Sequence, residues 1–393
     1  MNGSHMRVYF DYNATSPLSA AAADAVVGAT RNVFGNASSV HHFGQQAKAA
    51  LDEARSAVAT LIRAEPSEIV FTSGGTESDN FAIRGVAALH EGIQPAGRRH
   101  LVATAIEHEA VLNTLKALSR HGWRTTLVPV DRSGVVSVDA VRDALADDTA
   151  IVSVMHANNE IGTIQPVAEL GAICQQHGVT FHTDAVQWFG KEPFSSIHQF
   201  NADLVSVCAH KIHGPKGAGA LFIKSPLHPD PLLLGGGHEN ERRAGTENLA
   251  GIFGLLEALK LFIKTPVFSR LHLSPLTDRL IQLIKSIENT QFVGSQTHRL
   301  ANTVSFVTRG TDSIALLANL DLEGVCASSG SACSAGSLEP SHVIGALGIE
   351  GNLQNSLVRF SLGRDSTLEE VQSVEGILPE VISRTQKFQQ PLE

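Results

Sequence analysis

Ile69-Val-Phe-Thr-Ser-Gly-Gly-Thr-Glu-Ser-Asp-Asn-Phe-Ala-Ile83 carries the change of period that decides the fold. Residues 69–72 are a short apolar run of strand type and Ser73-Gly-Gly-Thr76 is a turn; 77–90 is a helix, with Thr76 and Asp79 spaced like a capping box. Upstream, from about 45 to 62, apolar residues recur at helical spacing (Ala47, Ala50, Leu51, Ala54, Val58, Leu61), with Lys48, Asp52, Glu53 and Arg55 between them, which predicts an amphipathic helix. Downstream the alternation continues. Strands are expected near 101–106, 125–130, 151–155, 179–183, 204–208 and 220–223, with helices between most of them, clearest at 109–121 and 138–146. Strand and helix in alternation predict an α/β fold with a mainly parallel sheet covered on both faces and ligands at the carboxyl ends of its strands. Beyond about Gly254 the pattern changes to an apolar helix, a Pro/Ser/Thr-bearing stretch, and short strands near 303–307 and 358–362 mixed with helices. The expected division is a large domain over 20–255 and a smaller α+β domain over 256–393 joined by the N-terminal segment 6–19, with 1–5 a cloning scar.

The chain has 393 residues, 43% of them hydrophobic, enough to bury a sizeable core. Its 30 basic and 39 acidic residues leave a net charge of −9, which argues against a nucleic-acid binder with a broad basic surface and points to a small-molecule or protein partner. The four cysteines, Cys174, Cys208, Cys326 and Cys333, are unevenly spaced and fit a reducing, cytoplasmic compartment better than a disulfide framework. No apolar run approaches the roughly 18 residues of a membrane span. There is no C-x-x-C pair and no H-E-x-x-H, so no metal site is expected.

The densest chemical signal is His210-Lys-Ile-His-Gly-Pro-Lys-Gly217, between two expected strands. A lone lysine is ordinarily a solvated surface residue. Lys211, however, follows the buried-looking run 204–208, where desolvation lowers an amine's pKa and favours condensation with a carbonyl. In His182-Thr-Asp-Ala-Val-Gln187, Asp184 closes an apolar strand at the same sheet edge, where a carboxylate is costly unless it meets a cation or a donor. A pyridoxal phosphate ring is such a partner, since a lysine imine and an acid on the ring nitrogen are its two recurrent protein contacts. Ser73-Gly-Gly-Thr76 at a helix start adds backbone N–H groups and a hydroxyl for the phosphate.

The residues also resemble a family. Tyr9-Phe-Asp-Tyr-Asn-Ala-Thr15, Gly35-Asn-Ala-Ser-Ser-Val-His41, Thr72-Ser-Gly-Gly-Thr-Glu77, Glu107-His108, Met155-His-Ala-Asn-Asn-Glu-Ile-Gly162, the two segments above, Arg243-Ala-Gly-Thr246, Ser328-Ser-Gly-Ser-Ala-Cys333 and Val358-Arg-Phe-Ser-Leu-Gly-Arg364 look like those of the cysteine desulfurases of the NifS/IscS type, a group of class V aminotransferases. The resemblance runs from about residue 8 to 364. It implies a pyridoxal 5'-phosphate enzyme of the aspartate-aminotransferase type fold, a homodimer with shared active sites, converting L-cysteine to L-alanine. The sulfur would pass through a persulfide on Cys333 to an acceptor protein such as an iron-sulfur scaffold. By position, Lys211 would hold the cofactor, Asp184 its ring nitrogen and Gln187 its ring hydroxyl, and His108 would stack on its ring face. Gly75, Thr76, Cys208 and His210 would surround the phosphate, with Thr246 reaching across from a second subunit. Asn159 and Arg359 would sit at the substrate, Arg359 on its carboxylate.

The neighbours of Cys333 (Ser328, Ser329, Gly330, Ser331, Ser334, Gly336 and Ser337) are small and mostly polar, which predicts a loop and an accessible thiol rather than a buried inert one. Two departures from the family stand out. Cys208 replaces a serine three residues before the imine lysine and is a weaker donor, and Asn240-Glu241 stands where Arg-Gly is common. The competing readings are a selenocysteine lyase or a small-amino-acid transaminase of the same fold, or a binding protein that has lost turnover. A transaminase would not depend on Cys333.

Overall fold

The structure, a computed structural model, describes residues 7–92, 97–330 and 340–388. The expected scar at 1–5 and Cys333 lie outside the described residues.

After the short β1 (Val8–Tyr9), the strands β2 (Ile69–Thr72), β3 (His100–Thr104), β4 (Arg124–Val128), β5 (Thr149–Ser153), β6 (Thr180–Asp184), β7 (Leu204–Cys208) and β8 (Gly219–Ile223) form one seven-stranded sheet in the order β2-β8-β7-β6-β5-β3-β4. From β7 to β4 every pairing is parallel; β8 runs antiparallel to both of its neighbours. Alternate residues face opposite sides. Leu101, Ile151, Leu204 and Leu221 pack under the helices Gly75–Glu91 and Glu109–Ser119, whereas Val102, Val152, Val205 and Phe222 pack against the helices on the other face, which include His42–Ile62 and Val167–Gln176. Both faces being covered, β3, β5, β7 and β8 are buried along their whole lengths, and so read as apolar runs rather than alternating ones.

A second sheet contains β9 (Thr290–Val293), β10 (Thr303–Thr308) and β12 (Val358–Ser361), antiparallel in the order β12-β10-β9. The N-terminal β1 pairs in parallel with β11 (Val325–Cys326), and Asp11 bridges Ser361, so the segment from Val8 to Asp11 lies beside the last third of the chain. Among the described residues no helix is long and apolar enough to cross a membrane.

Several boundaries differ from the sequence expectation. β3 and β5 end at Thr104 and Ser153, short of the expected limits. The apolar residues beyond them, Ile106 and Met155, are buried against Val293 and Val307 of the second sheet, so their hydrophobicity reports contact between sheets rather than more strand. The helix expected from Glu77 starts at Gly75, with Gly74 at its N-terminus (φ 147°) making no side-chain cap. The Thr76/Asp79 capping box does not form. Asp79 turns inward and is buried, and the Glu77 carboxylate accepts from the Ser73 N–H at 2.9 Å instead.

The departure at Asn240-Glu241 has a structural counterpart. Glu239, Asn240 and Glu241 all have positive φ (50°, 57° and 64°), a conformation that costs a residue with a Cβ roughly 1 kcal/mol. The segment is held by a buried, bidentate Arg55–Glu239 pair (2.7 and 2.6 Å), with the Phe71 N–H donating to the same carboxylate at 2.8 Å. Where a glycine would relieve the strain at 241, this chain keeps a side chain and anchors the loop from 239.

Candidate active site

A cleft of about 190 Å³ opens at the carboxyl ends of the central strands. Each element delivers a residue where its regular structure stops. β6 ends on Asp184, β7 ends on Cys208, and the turn after β7 carries His210 and Lys211. The start of the helix Gly75–Glu91 supplies Gly75 and Thr76, and the loop after β3 supplies His108, whose ring Nδ1 caps the helix Glu109–Ser119 by accepting from the Ala110 N–H. Asn159 follows β5, and Arg359 enters from β12 of the second sheet. Ten residues singled out in the sequence therefore meet in one cleft: Gly75, Thr76, His108, Asn159, Asp184, Gln187, Cys208, His210, Lys211 and Arg359. Thr246 does not line it; it lines a neighbouring cleft with Ser73, Arg243 and Glu247. Cys333 lies outside the described residues.

The Lys211 ammonium donates to the backbone carbonyls of Asn13 (2.5 Å) and Ala14 (2.8 Å). Burial pulls it below the ordinary lysine range; Cys208 pulls back, Arg359 adds to the fall, and Asp11 and Asp184 oppose it. Asp184 accepts from the Val186 N–H at 2.9 Å; burial pushes its carboxyl up, against the opposing pull of His108, that hydrogen bond and Lys211. Burial holds the His210 imidazole down at about 4, with Lys211 and Lys216 acting the same way. Burial raises the Cys208 thiol, which makes it a neutral lining group rather than a thiolate.

Arg359 is buried, with one amino group on the carbonyl of Asn159 (2.8 Å) and the other on Asp11 Oδ1 (2.7 Å), while its Nε–H has no hydrogen-bond partner among the described residues. Gln187 donates from Nε2 to the Asn13 carbonyl at 2.9 Å, leaving its second N–H available.

Sequence reasoning gave no role at the site to four groups now at or beside the cleft: Asn13, Asp11, Glu107, and Asp79, which it had read only as a helix cap. Asn13 ties the two sheets together, its backbone N–H donating to Ser361 Oγ and its amide to Asn159 O and Thr303 Oγ1 while its carbonyl takes Gln187 and Lys211. It stood inside the quoted Tyr9–Thr15 motif, but nothing in an isolated asparagine signals a hub. Asp79 and Glu107 are buried carboxyls near Asp184, and like charges so close in a dry site favour protonated forms.

Glu107 gives a pH prediction. Burial pushes its carboxyl up to about 8, although Thr104 Oγ1 and the Met155 N–H donate to it and pull the other way. Its folded value lies above its unfolded one, so the native state holds the extra proton between the two, and stability falls as pH rises through that window. The melting temperature of the wild type is expected to fall between about pH 5 and about pH 9 more steeply than that of Glu107→Gln, which has no proton to lose. Parallel melting curves for the two proteins across that range would contradict the assignment.

Comparison with known proteins gives a consistent family. The aminotransferase class-V family matches residues 8–374. The chain is 42% identical over 378 residues to the cysteine desulfurase IscS of Dictyoglomus turgidum, covering 96% of this chain and 95% of that protein. It is 43% identical over 377 residues to the cysteine desulfurase IscS of Methanosarcina thermophila, covering 96% and 92%. Among solved structures, a NifS-like protein superimposes with a TM-score of 0.88 at 34% identity, over 96% of this chain and all of the other.

Proposed function

The chain belongs to the class-V aminotransferase family and is a pyridoxal-phosphate-dependent cysteine desulfurase, and from that premise we propose how its residues divide the work. The observation that carries the assignment of roles is the meeting of Lys211, Asp184, His108 and Arg359, from four different chain segments, around one cleft.

The residues present fit the cofactor. A buried carboxylate at Asp184 faces a cleft holding an amine and an imidazole but has no paired cation among the described residues, which suits a protonated ring nitrogen. Gly75 leaves no room for a side chain, since a Cβ there would come within 2.8 Å of Val186 Cγ2, so backbone N–H groups can approach an anion closely at the helix start. When bound, pyridoxal phosphate supplies an aldehyde for condensation with an amine and a ring that accepts the electron pair left at Cα after proton loss.

Lys211 is the attachment lysine. The Asn13 and Ala14 carbonyls, which accept from its Nζ, would hold that amine where it could take up and move the Cα proton. Asp184 keeps the ring nitrogen protonated, and His108, held at its Nδ1 by the Ala110 N–H, presents its ring face. Gly75, Thr76, His210 and Cys208 bind the phosphate, Cys208 more weakly than a serine would. Gln187 donates to the ring hydroxyl through its remaining N–H. Arg359 binds the substrate carboxylate, an acceptor for the Nε–H that has no partner among the described residues, with Asn159 beside it. A fixed carboxylate fixes which Cα bond breaks.

Cys333 receives the sulfur as a persulfide, and an acceptor protein such as an iron-sulfur scaffold takes it onward. The working unit is a homodimer in which a second copy supplies Thr246 to this cleft. The chain divides into a large domain over 20–255 and a small one over 256–393, with 6–19 joining them, and acts in the cytoplasm.

Cofactor-loaded protein given L-cysteine and a thiol reductant is expected to release alanine and sulfide in equal amounts over many turnovers, with no 2-oxo acid present. Dependence on a 2-oxo acid, with no sulfide formed, would make the protein a transaminase instead.

A further inference from the structure

Gln187 can donate to a cofactor only if its amide nitrogen, and not its oxygen, faces the cleft. The two ends of a glutamine amide are nearly identical in shape, so their partners decide which way it lies. Nε2 donates at 2.9 Å to the carbonyl of Asn13, the same carbonyl that accepts from Lys211 Nζ, and Asn13 and Lys211 both line the cleft. Oε1 turns the other way, accepting from Lys191 Nζ at 2.7 Å; Lys191 is 2% exposed and is not part of the lining. Among the described residues Lys191 is the only hydrogen-bond donor to that oxygen.

Lys191 is itself held in place. Its Nζ also donates to Asn13 Oδ1 at 2.9 Å, an oxygen that takes Asn302 Nδ2 at 3.0 Å besides, while Asn13 Nδ2 donates to Thr303 Oγ1 (2.9 Å) and to the Asn159 carbonyl (3.1 Å). Lys191, Gln187 and Asn13 therefore close a ring of three hydrogen bonds, with both ends of the Asn13 amide in use. The turn after β6 makes the ring possible. Gly190 has φ 74°, and a Cβ there would lie 2.7 Å from Ile212 Cγ2, so the chain bends where no other residue fits and returns the lysine toward Gln187, four residues before it. A neutral amine has two N–H bonds and an ammonium three, so either form supplies the two donors used here. Burial, with Lys211 and Arg359 acting the same way against Cys208, pulls Lys191 well below the ordinary lysine range, and the ring survives loss of that proton.

We propose that Lys191 is a positioning residue: it fixes the Gln187 amide with its free N–H toward the cleft, where that N–H meets the ring hydroxyl of pyridoxal phosphate. Without Lys191, Oε1 is a buried acceptor with no donor, and the amide gains by turning toward whatever donor the cleft offers. Its N–H is then no longer held on the ring oxygen. The inference rests on reading Gln187 as the donor to that hydroxyl.

The test reads the absorbance of the bound cofactor in loaded protein as a function of pH. A donor on the ring oxygen draws off negative charge that helps to hold the neighbouring proton of the cofactor–lysine linkage, so losing the donor raises the midpoint of the absorbance change. Lys191→Met, of similar length but with no N–H, is expected to raise that midpoint by about half a pH unit to one unit, as is Gln187→Leu, and the double variant is expected to move no further than Gln187→Leu alone. An unmoved midpoint in Lys191→Met overturns the inference. So does a further shift in the double variant, which would show Lys191 acting on the cofactor by its charge and not through Gln187. Lys191→Leu takes its place if Lys191→Met does not melt cooperatively; loss of cooperative melting in both also overturns the inference, since the lysine would then be a support of the fold. Gln187→Leu isolates the underlying reading. Its own midpoint unmoved sinks the role of Gln187 on the ring hydroxyl, whereas a moved midpoint there beside an unmoved one in Lys191→Met sinks only the role of Lys191.

Discussion

Lys211→Ala is expected to lower alanine formation from L-cysteine by about 10³-fold or more, because it removes at once the covalent tether and the amine that handles the Cα proton. The protein itself should survive. Among the described residues Lys211 makes no ion pair and its Nζ donates only to the carbonyls of Asn13 and Ala14, and Asn13 O keeps the Gln187 N–H as a partner when the lysine is gone. The cost of truncation is therefore about 1–2 kcal/mol, well within what a fold of this size tolerates. Cofactor should still bind, held by the phosphate and ring contacts, but with the absorbance of the free aldehyde and no borohydride-stable label. Lys211→Arg should not rescue, since a guanidinium keeps its proton and cannot act as a nucleophile. Activity within tenfold of the wild type in Lys211→Ala would remove Lys211 from the centre of the mechanism.

The site is cofactor chemistry laid on an α/β frame. Parallel strands ending at one edge bring Asp184, Cys208 and the turn bearing Lys211 together without long-range design, because neighbouring strands stop at neighbouring heights. That half of the site was legible in the sequence, since a polar residue closing an apolar run is visible in one dimension. The other half was not. Asn13 and Asp11 come from the N-terminal segment and Arg359 from β12, and only the three-dimensional return of those segments sets Asp11 Oδ1 2.7 Å from Arg359. Lys191 escaped notice for a related reason: it follows Gln187 in what reads as an ordinary loop, and nothing in Gly190-Lys191-Glu192 says that the side chain turns inward to Asn13.

Secondary structure was read well where the period was pure and less well at the ends. Leu204–Cys208 and Ile69–Thr72 match the expectation residue for residue because turn residues bound both. The helix Ala20–Asn32 and the strand Thr290–Val293 gave no clear signal. The first is a run of small residues with little amphipathic contrast, and only Val293 of the second is buried. The 21-residue C-terminal helix Leu368–Phe388 likewise went unassigned; Pro379 inside it reads as a stop signal, although the helix continues past it.

Cys333→Ala is expected to abolish sulfide release, by about 10³-fold or more, while leaving the cofactor's absorbance change on addition of L-cysteine intact. The two ends of the segment that carries Cys333 are fixed at the rim of the cleft. On one side Ser328 exchanges backbone hydrogen bonds with Arg359 at 3.2 and 2.7 Å; on the other, Ser341 Oγ donates to Glu160 at 2.5 Å and the His342 ring meets the Glu107 carbonyl at 2.9 Å. Cys333 itself follows Gly330 by three residues in the sequence and lies outside the described residues. The chemistry balances with nothing added. In the proposed step the Cys333 thiolate would attack the substrate sulfur, the carbon–sulfur bond would break with its electron pair staying on the substrate carbon to be protonated, and the persulfide left on Cys333 would await a reductant or an acceptor. Removing the thiol leaves substrate binding and Cα proton loss untouched but gives the sulfur nowhere to go. Cys333→Ser should fail in the same way, because a hydroxyl at neutral pH is not a comparable nucleophile toward sulfur. If Cys333→Ala released alanine and sulfide at the wild-type rate, cleavage would proceed without an enzyme thiol. The chain would then act as a lyase that frees sulfur directly, and no acceptor protein would need to dock at Cys333.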